Sequence, residues 1–318
     1  MTTDERRPTV LVTGGAGFIG SALCSRLLAA GRRVVAYDDL SRGRRDLLPS
    51  AVQLIEGDIR DRERLRAAIG DTTPDALVHL AAMHFIPDCV ARPQETVAVN
   101  VEGTRCVLDS CRGSSIRGVV FASSGAVYEP SDEPCVEGHT ALRPLEVYGE
   151  SKLAAEDLAR AFQRDTAIPT SVVRFFNAIG RNETNPHVIP HIFESLQSSD
   201  VIRLGNMAPR RDYIDTRDLA DAMLAVLDAA HGFSVLNVGT GVACSVSEIV
   251  DLIGSILGRR ITVVGEPARM RATERMLLVA DISRIRHATG WTPRISLKQS
   301  LKDLVHAYGL QTQPSIAD

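Results

Sequence analysis

Apolar and polar positions alternate in blocks along the first half of the chain, and each block has the length of a strand or a helix. Thr9 to Thr13 (TVLVT) is a short β-branched apolar run of the kind buried on both faces of a parallel sheet. Ile19, Leu23 and Leu27 then recur at helical spacing, and Gly31 closes that helix. The same logic predicts strands at Arg33 to Tyr37, Val52 to Glu56, Ala76 to Leu80, Gly118 to Ser123 and Thr170 to Phe176. Between them it predicts helices at Arg62 to Ile69, Pro93 to Cys111 and Tyr148 to Arg164. Such alternation indicates an α/β, doubly wound parallel sheet.

The second half is less regular. Short strands are predicted at Val201 to Leu204, Val235 to Val238 and Ile261 to Val264, with helices at Thr216 to Ala229, Ser247 to Leu257 and Leu297 to Tyr308. This suits a smaller α+β substrate-binding lobe. The expected division is residues 1–176 as a dinucleotide-binding domain, with returning elements around 211–239, and 177–318 as mainly the second lobe. The cleft between the two is the expected ligand site.

Length, charge and cysteine usage narrow the class. A chain of 318 residues is large for a single core. A net charge of −3 argues against a nucleic-acid partner. No apolar run approaches a membrane span, so no membrane partner is expected. The charged start MTTDERRPTV has no h-region, which predicts no signal peptide and a cytoplasmic protein. Cys24, Cys89, Cys106, Cys111, Cys135 and Cys244 form no C-x-x-C pair and are expected as free thiols. His187 and His191 have the spacing of helical metal ligands, but Pro190 lies between them and no carboxylate cluster supports a metal, so none is expected.

The first strand runs into TGGAGFIG, which carries G-x-G-x-x-G at Gly15, Gly17 and Gly20, and G-x-x-G-x-x-G at Gly14, Gly17 and Gly20. Glycines here allow a tight turn, close approach to a pyrophosphate and close helix–strand packing. The following helix start, with Phe18 and Ile19, offers free N–H groups to an anion. An acid, Asp38, ends the second strand. Its carboxylate would accept ribose hydroxyls and repel a 2′-phosphate, which favours NAD over NADP, although Arg42 and Arg44 follow closely. A Rossmann sheet is therefore the expected fold.

Tyr148 and Lys152 form Y-x-x-x-K, four apart and on one helix face. An ammonium beside a phenol lowers the phenol's pKa toward working pH, so the tyrosine can take a proton from an alcohol whose hydride leaves for NAD. Ser123 and Ser124 end the fifth strand, at the edge where ligands bind. A serine hydroxyl there can hold a substrate hydroxyl and shuttle its proton.

TGGAGFIG, Asp38, GDIRD (57–61), LVHLAA (77–82), Asn100, SSGAVY (123–128) and YGESK (148–152) together resemble the extended short-chain dehydrogenase/reductase family. The motifs occur in family order across nearly the whole chain, and the nearest likeness is to the UDP-galactose (UDP-glucose) 4-epimerase-like branch. The resemblance implies Ser124, Tyr148 and Lys152 as catalytic residues. It places Gly14, Gly17, Phe18, Ile19, Gly20 and Asp38 on the cofactor, with Asp58 and Ile59 flanking adenine. Leu80, Ala81 and Ala82 let the cofactor pass, Asn100 stands behind the active site, and Lys152 also holds the nicotinamide ribose. His84 falls where such epimerases often carry a lysine near the sugar and phosphate.

The resemblance extends into the second lobe. RFFNAIG (174–180) implies Asn177 on the nucleotide sugar, and TNPHVIP (184–190) implies His187 and Val188 there. RRDYIDTRDLA (210–220) implies Arg211 on the diphosphate. RATE (271–274) stands for a common R-x-G-D and implies Arg271 on phosphate and Glu274 on ribose. Spacing from that segment places Leu278 at a position that often gates N-acetylated sugars. Arg181 could meet a substrate carboxylate.

Three reactions share these residues. A 4,6-dehydratase needs an Asp-Glu pair directly after the catalytic hydroxyl, and a uronate decarboxylase a Glu; here Gly125 and Ala126 stand there. The expected activity is therefore C4 epimerisation of a nucleotide diphosphate sugar through a 4-keto intermediate. A nucleotide-sugar 4,6-dehydratase, a uronate-type epimerase or decarboxylase, and a non-catalytic NAD-binding scaffold are the alternatives. Family members pair two helices into a four-helix bundle. Val97, Val101, Leu108, Leu153 and Leu158 are extra apolar residues on the corresponding helices, so a homodimer is expected.

Overall fold

Seven parallel strands form the main sheet of the computed structural model, which describes residues 7–266 and 275–311. In chain order the first elements are β1 (Thr9–Thr13), α1 (Phe18–Ala29), β2 (Arg33–Asp38), β3 (Gln53–Glu56), α2 (Arg62–Thr72) and β4 (Ala76–His79). Then come α3 (Ile86–Ala91), α4 (Pro93–Val97), α5 (Thr104–Cys111), β5 (Val119–Ser124), α6 (Val147–Thr166) and β6 (Thr170–Phe175). The second half supplies β7 (Asn177–Ile179), α7 (Val188–Leu196), β8 (Val201–Leu204), β9 (Arg210–Asp215), α8 (Thr216–Asp228) and β10 (Phe233–Val238). It ends with β11 (Ala243–Ser245), α9 (Val246–Leu257), β12 (Thr262–Gly265), β13 (Leu277–Leu278), α10 (Ser283–Thr289) and α11 (Leu297–Ala307).

The order β10-β6-β5-β4-β1-β2-β3 is that of a Rossmann sheet with one added strand. Every residue of TVLVT is buried because the sheet is covered on both faces. Val10 and Val12 point into the core under α1 and α8, while Leu11 points the other way, into the core under α2, α5 and α6. The reversal of strand order between β1 and β4 opens a crevice at the carboxyl edge.

The smaller lobe has its own core, built from α7, α9 and α11, with Phe193, Ile253 and Leu301 fully buried. β9 pairs with β7, β11 and β13, and β8 with β12. Of the stretch around 211–239, α8 and β10 return to the main sheet, whereas β9 stays in the second lobe. Among the described residues no helix is long and apolar enough to cross a membrane.

The helix predicted from Pro93 to Cys111 runs through the whole span, with a wide π-helical turn over Ala98–Gly103 that carries Asn100. Two expectations are corrected. Pro190 does not prevent a helix: α7 begins at Val188, and proline in a first turn forfeits no helical hydrogen bond. Leu108 is buried, in the core under α5, and cannot serve an exterior face.

Candidate active site

One cavity of about 1170 Å³ opens along the carboxyl edge of the main sheet and is walled by both lobes. Its floor is the turn between β1 and α1. Gly14 has φ +71°, and a Cβ there would lie 2.7 Å from the Ala81 nitrogen. A Cβ on Gly20 would lie 2.0 Å from the Gly14 carbonyl oxygen. Only glycine fits either place, and the backbone they free lies at the wall with Gly17, Phe18 and Ile19, where α1 begins.

Asp38 is buried beside this turn. Its carboxylate accepts from the Ala16 and Leu40 amides, both at 2.9 Å. Burial raises its pKa, and those two amides oppose the rise. Arg42 is paired with Asp88, and Arg44 with Asp46, so both nearby guanidinium groups are already answered. Asp58, gripped by Arg60, lines the cavity with Ile59, Leu80, Ala81 and Ala82. The Arg60 hydrogen bond holds the Asp58 carboxyl below the usual range.

Ser124, Tyr148 and Lys152 meet on the wall between β5 and α6. Burial pushes the Tyr148 pKa up to about 12, and the Ser124 side chain opposes the rise. Lys152 donates from Nζ to the Ala122 carbonyl at 2.9 Å and lies 5.3 Å from the centre of the Phe121 ring. Burial brings its own pKa down to about 8. Four-residue spacing put the two side chains on one face but did not fix what the ammonium points at.

Asn100 lies behind this wall. Its carboxamide accepts from the Met83 amide and donates to the Met83 carbonyl, each at 2.8 Å, and donates to Ser151 Oγ at 2.9 Å. The π-helical turn swings it into this bridge between the loop after β4 and α6. His79 is bracketed in the same layer by Thr13 at 2.6 Å and Thr104 at 3.0 Å, and burial lowers its pKa to about 3.

From the second lobe, Asn177, His187, Val188 and Arg211 reach the same cavity, opposite His84. His84 Nε2 accepts from Asn185 Nδ2 at 3.0 Å, so this side chain links the two walls. Leu278 lies against Gly125, where a Cβ would sit 3.4 Å from Leu278 Cδ1. Arg181 is exposed and does not line the cavity. Arg271 and Glu274 lie outside the described residues. Among the described residues no His, Cys, Asp and Glu cluster could hold a metal ion.

Arg275 was not anticipated. It is buried, lines the cavity and donates to the carbonyls of Gly125 at 2.9 Å and Tyr128 at 2.7 Å. It thereby fastens the turn that follows Ser124. The only signal in the sequence was an arginine at the head of an apolar run.

Comparison with known proteins agrees with this geometry. Residues 10–239 match the sequence model of the NAD dependent epimerase/dehydratase family. The chain is 33% identical over 307 residues to UDP-glucose 4-epimerase of Azospirillum brasilense, covering 90% of this chain and 88% of that one. It is similar to the crystal structure of UDP-glucose 4-epimerase from Brucella ovis in complex with NAD, with a TM-score of 0.88 and 31% identity, over 96% of this chain and 100% of that one. It is also similar to the Thermotoga maritima enzyme crystallised with UDP-glucose, with a TM-score of 0.87 and 25% identity, over 95% and 98% of the two chains.

Proposed function

The chain belongs to the NAD dependent epimerase/dehydratase family, and from that premise we propose that it is an NAD-dependent C4 epimerase of a nucleotide diphosphate sugar, of the UDP-glucose/UDP-galactose type. The observation that carries this reading is the meeting of Ser124, Tyr148 and Lys152 on one cavity wall beside Gly125 and Ala126, which bear no acid for eliminating water.

The residues fit a dinucleotide. Gly14 and Gly20 bare the backbone where any Cβ would clash, and the Asp38 carboxylate lies on the wall at the end of β2. Gly14, Gly17, Phe18, Ile19 and Gly20 would hold the pyrophosphate, Asp38 the adenine-side ribose, and Asp58 and Ile59 the adenine. Ala81 and Ala82 would flank the passage, and Lys152 would hold the second ribose. When bound, NAD supplies an acceptor for the C4 hydride and a donor for its return.

The chain's own groups handle the proton and the geometry. Ser124 holds the C4 hydroxyl and relays its proton to Tyr148. The phenol acts as a base only once its pKa falls, and the Lys152 ammonium and a positive ring beside it both favour the phenolate. Arg211 grips the diphosphate bidentately, as guanidinium suits phosphate. Asn177, His187, Val188 and His84 line the sugar's surroundings.

We propose a homodimer as well. Val97 is 43% exposed, and Val101, Leu153 and Leu158 are half-buried, on the helical segments that would pair.

The test is direct. The protein is incubated with NAD and UDP-glucose, and the C4 configuration is followed by NMR. Interconversion of the two C4 epimers is expected; a 4-keto-6-deoxy product alone would overturn the assignment.

A further inference from the structure

Three successive residues at the end of β5 face successive turns of α6. Ser124 shares the cavity wall with Tyr148. The Ala122 carbonyl accepts from Lys152 Nζ at 2.9 Å. The Ser123 hydroxyl donates to Glu156 Oε1 at 2.5 Å. The helix partners stand at 148, 152 and 156, one turn apart on one face. Two of them belong to the reacting set. Glu156 does not, and the chemistry proposed above leaves it unused.

Glu156 is 4% exposed, and its carboxylate also takes Arg174 Nε at 2.9 Å and Nη2 at 2.6 Å. Arg174, on β6, is 3% exposed and lies 4.8 Å from the centre of the Tyr128 ring. A buried ion pair costs its desolvation, and apolar residues of like volume often hold a fold as well. What the pair adds is direction and charge. The carboxylate gives Ser123 one fixed seat, and the bidentate guanidinium stops that seat from rotating.

The charge bears on Lys152, one turn away. The ionisable groups around Lys152 are His79 of β4, His84 beyond it, Cys89 of α3, and Tyr148 and Glu156 on its own helix. Burial keeps the first four neutral: His79 falls to about 3, His84 is lowered, the Cys89 thiol is raised, and Tyr148 rises to about 12. Burial opposes the Lys152 ammonium, and Cys89 and then Glu156 favour it; of these two, Glu156 is the carboxylate that sits one turn along the same helix.

We propose that Glu156 is a positioning residue of the active site: it seats Ser123, hence the register of Ala122 and Ser124 against α6, and its charge keeps Lys152 an ammonium. This rests on the reading of Ser124, Tyr148 and Lys152 as the reacting set.

Glu156→Gln keeps an acceptor for Ser123 and removes the charge. Two readouts are taken across pH: NADH binding by fluorescence, which needs no turnover, and kcat with UDP-glucose. Loss of a nearby anion lowers the lysine pKa, so the alkaline midpoint of NADH binding and the alkaline limb of kcat should both move down by roughly half to one pH unit. At pH 8, kcat should fall about two- to fivefold, with KM for the sugar nucleotide within about twofold.

Because Gln leaves Arg174 unanswered, Glu156→Gln/Arg174→Met is measured alongside. It should regain thermal stability while both alkaline midpoints stay displaced. Wild-type midpoints in the double variant, or a lowered Tm as the sole effect of either substitution, would overturn the proposal. A wild-type protein that binds NADH but converts no sugar nucleotide would instead count against the assigned reaction, and the binding midpoints would still decide the role of Glu156.

Discussion

Lys152 Nζ is fastened to the Ala122 carbonyl at 2.9 Å, not to the phenol one helical turn before it. The two side chains therefore approach the reacting carbon from different supports. Tyr148 is set by burial and by Ser124, while Lys152 is set by the strand end. The tyrosine's basicity is thus built mostly when charge arrives in the cavity, and little of it is present in the protein alone.

Tyr148→Phe removes the proton acceptor and nothing else of size. A fall in kcat of about 10²–10⁴ is expected, with bound NAD retained after purification. Turnover is followed by NMR and cofactor content by mass. A loss below about fivefold would move the proton to another group or mark the protein as a scaffold.

Acid sensitivity should come from His79. Its folded pKa is about 3, against an ordinary 6.5. Between those values the unfolded chain binds a proton that the folded chain refuses, so stability is lost as pH falls from about 6.5 toward 3. The loss is on the order of a few kcal/mol. His79→Gln, which can still bridge Thr13 and Thr104, should flatten that part of the curve in a circular-dichroism titration.

Asn100→Ala deletes three hydrogen bonds and strands the Met83 amide and carbonyl in the interior. A stability loss of about 2–4 kcal/mol is expected from urea unfolding. Activity should fall further than occupancy of unfolded protein explains, since the loop after β4 and Ser151 lose their common tie.

Cofactor preference can be probed at Asp38. Asp38→Ala should weaken NAD binding by roughly tenfold, the worth of about one good hydrogen bond to a charged group. It should not gain NADP, because Arg42 and Arg44 are held by Asp88 and Asp46. Calorimetry with both cofactors decides; tight NADP binding by the variant would show that either arginine swings free.

The proposed dimer is tested at its most exposed apolar position. Val97→Glu should give a monomer in sedimentation velocity at micromolar concentration, against a dimer for the unaltered chain. Like charges facing each other across a symmetric interface cost several kcal/mol.

The sequence disclosed most where burial alone dictates a residue type. TVLVT is a strand because both its faces are covered, and the glycine turn is legible because Gly14 and Gly20 have no room for a Cβ. Elements were missed where a local rule has a positional exception. Pro190 breaks helices in their interior but sits harmlessly in the first turn of α7. The π-helical turn at Asn100 shifts the helix face by one residue, a phase change too small over so short a span to tell from an ordinary helix in apolar spacing. Spacing grouped Tyr148, Lys152 and Glu156, yet only tertiary contacts say that Lys152 answers to Ala122 and Glu156 to Ser123. Arg275 was hidden for the same reason, since its partners are main-chain carbonyls that any sequence would provide.

The strand order has a consequence for how the chain is made. β6 lies between β5 and β10, so one whole side of TSVVRF stays without a hydrogen-bonding neighbour until the chain has passed through β7, α7, β8, β9 and α8. During synthesis the half-finished sheet therefore exposes an apolar edge strand while the second lobe is only begun. The two lobes are stitched rather than strung together. A cut near residue 176 would yield not two halves but a sheet with an open, adhesive margin and a fragment whose own strand β10 has lost its neighbour.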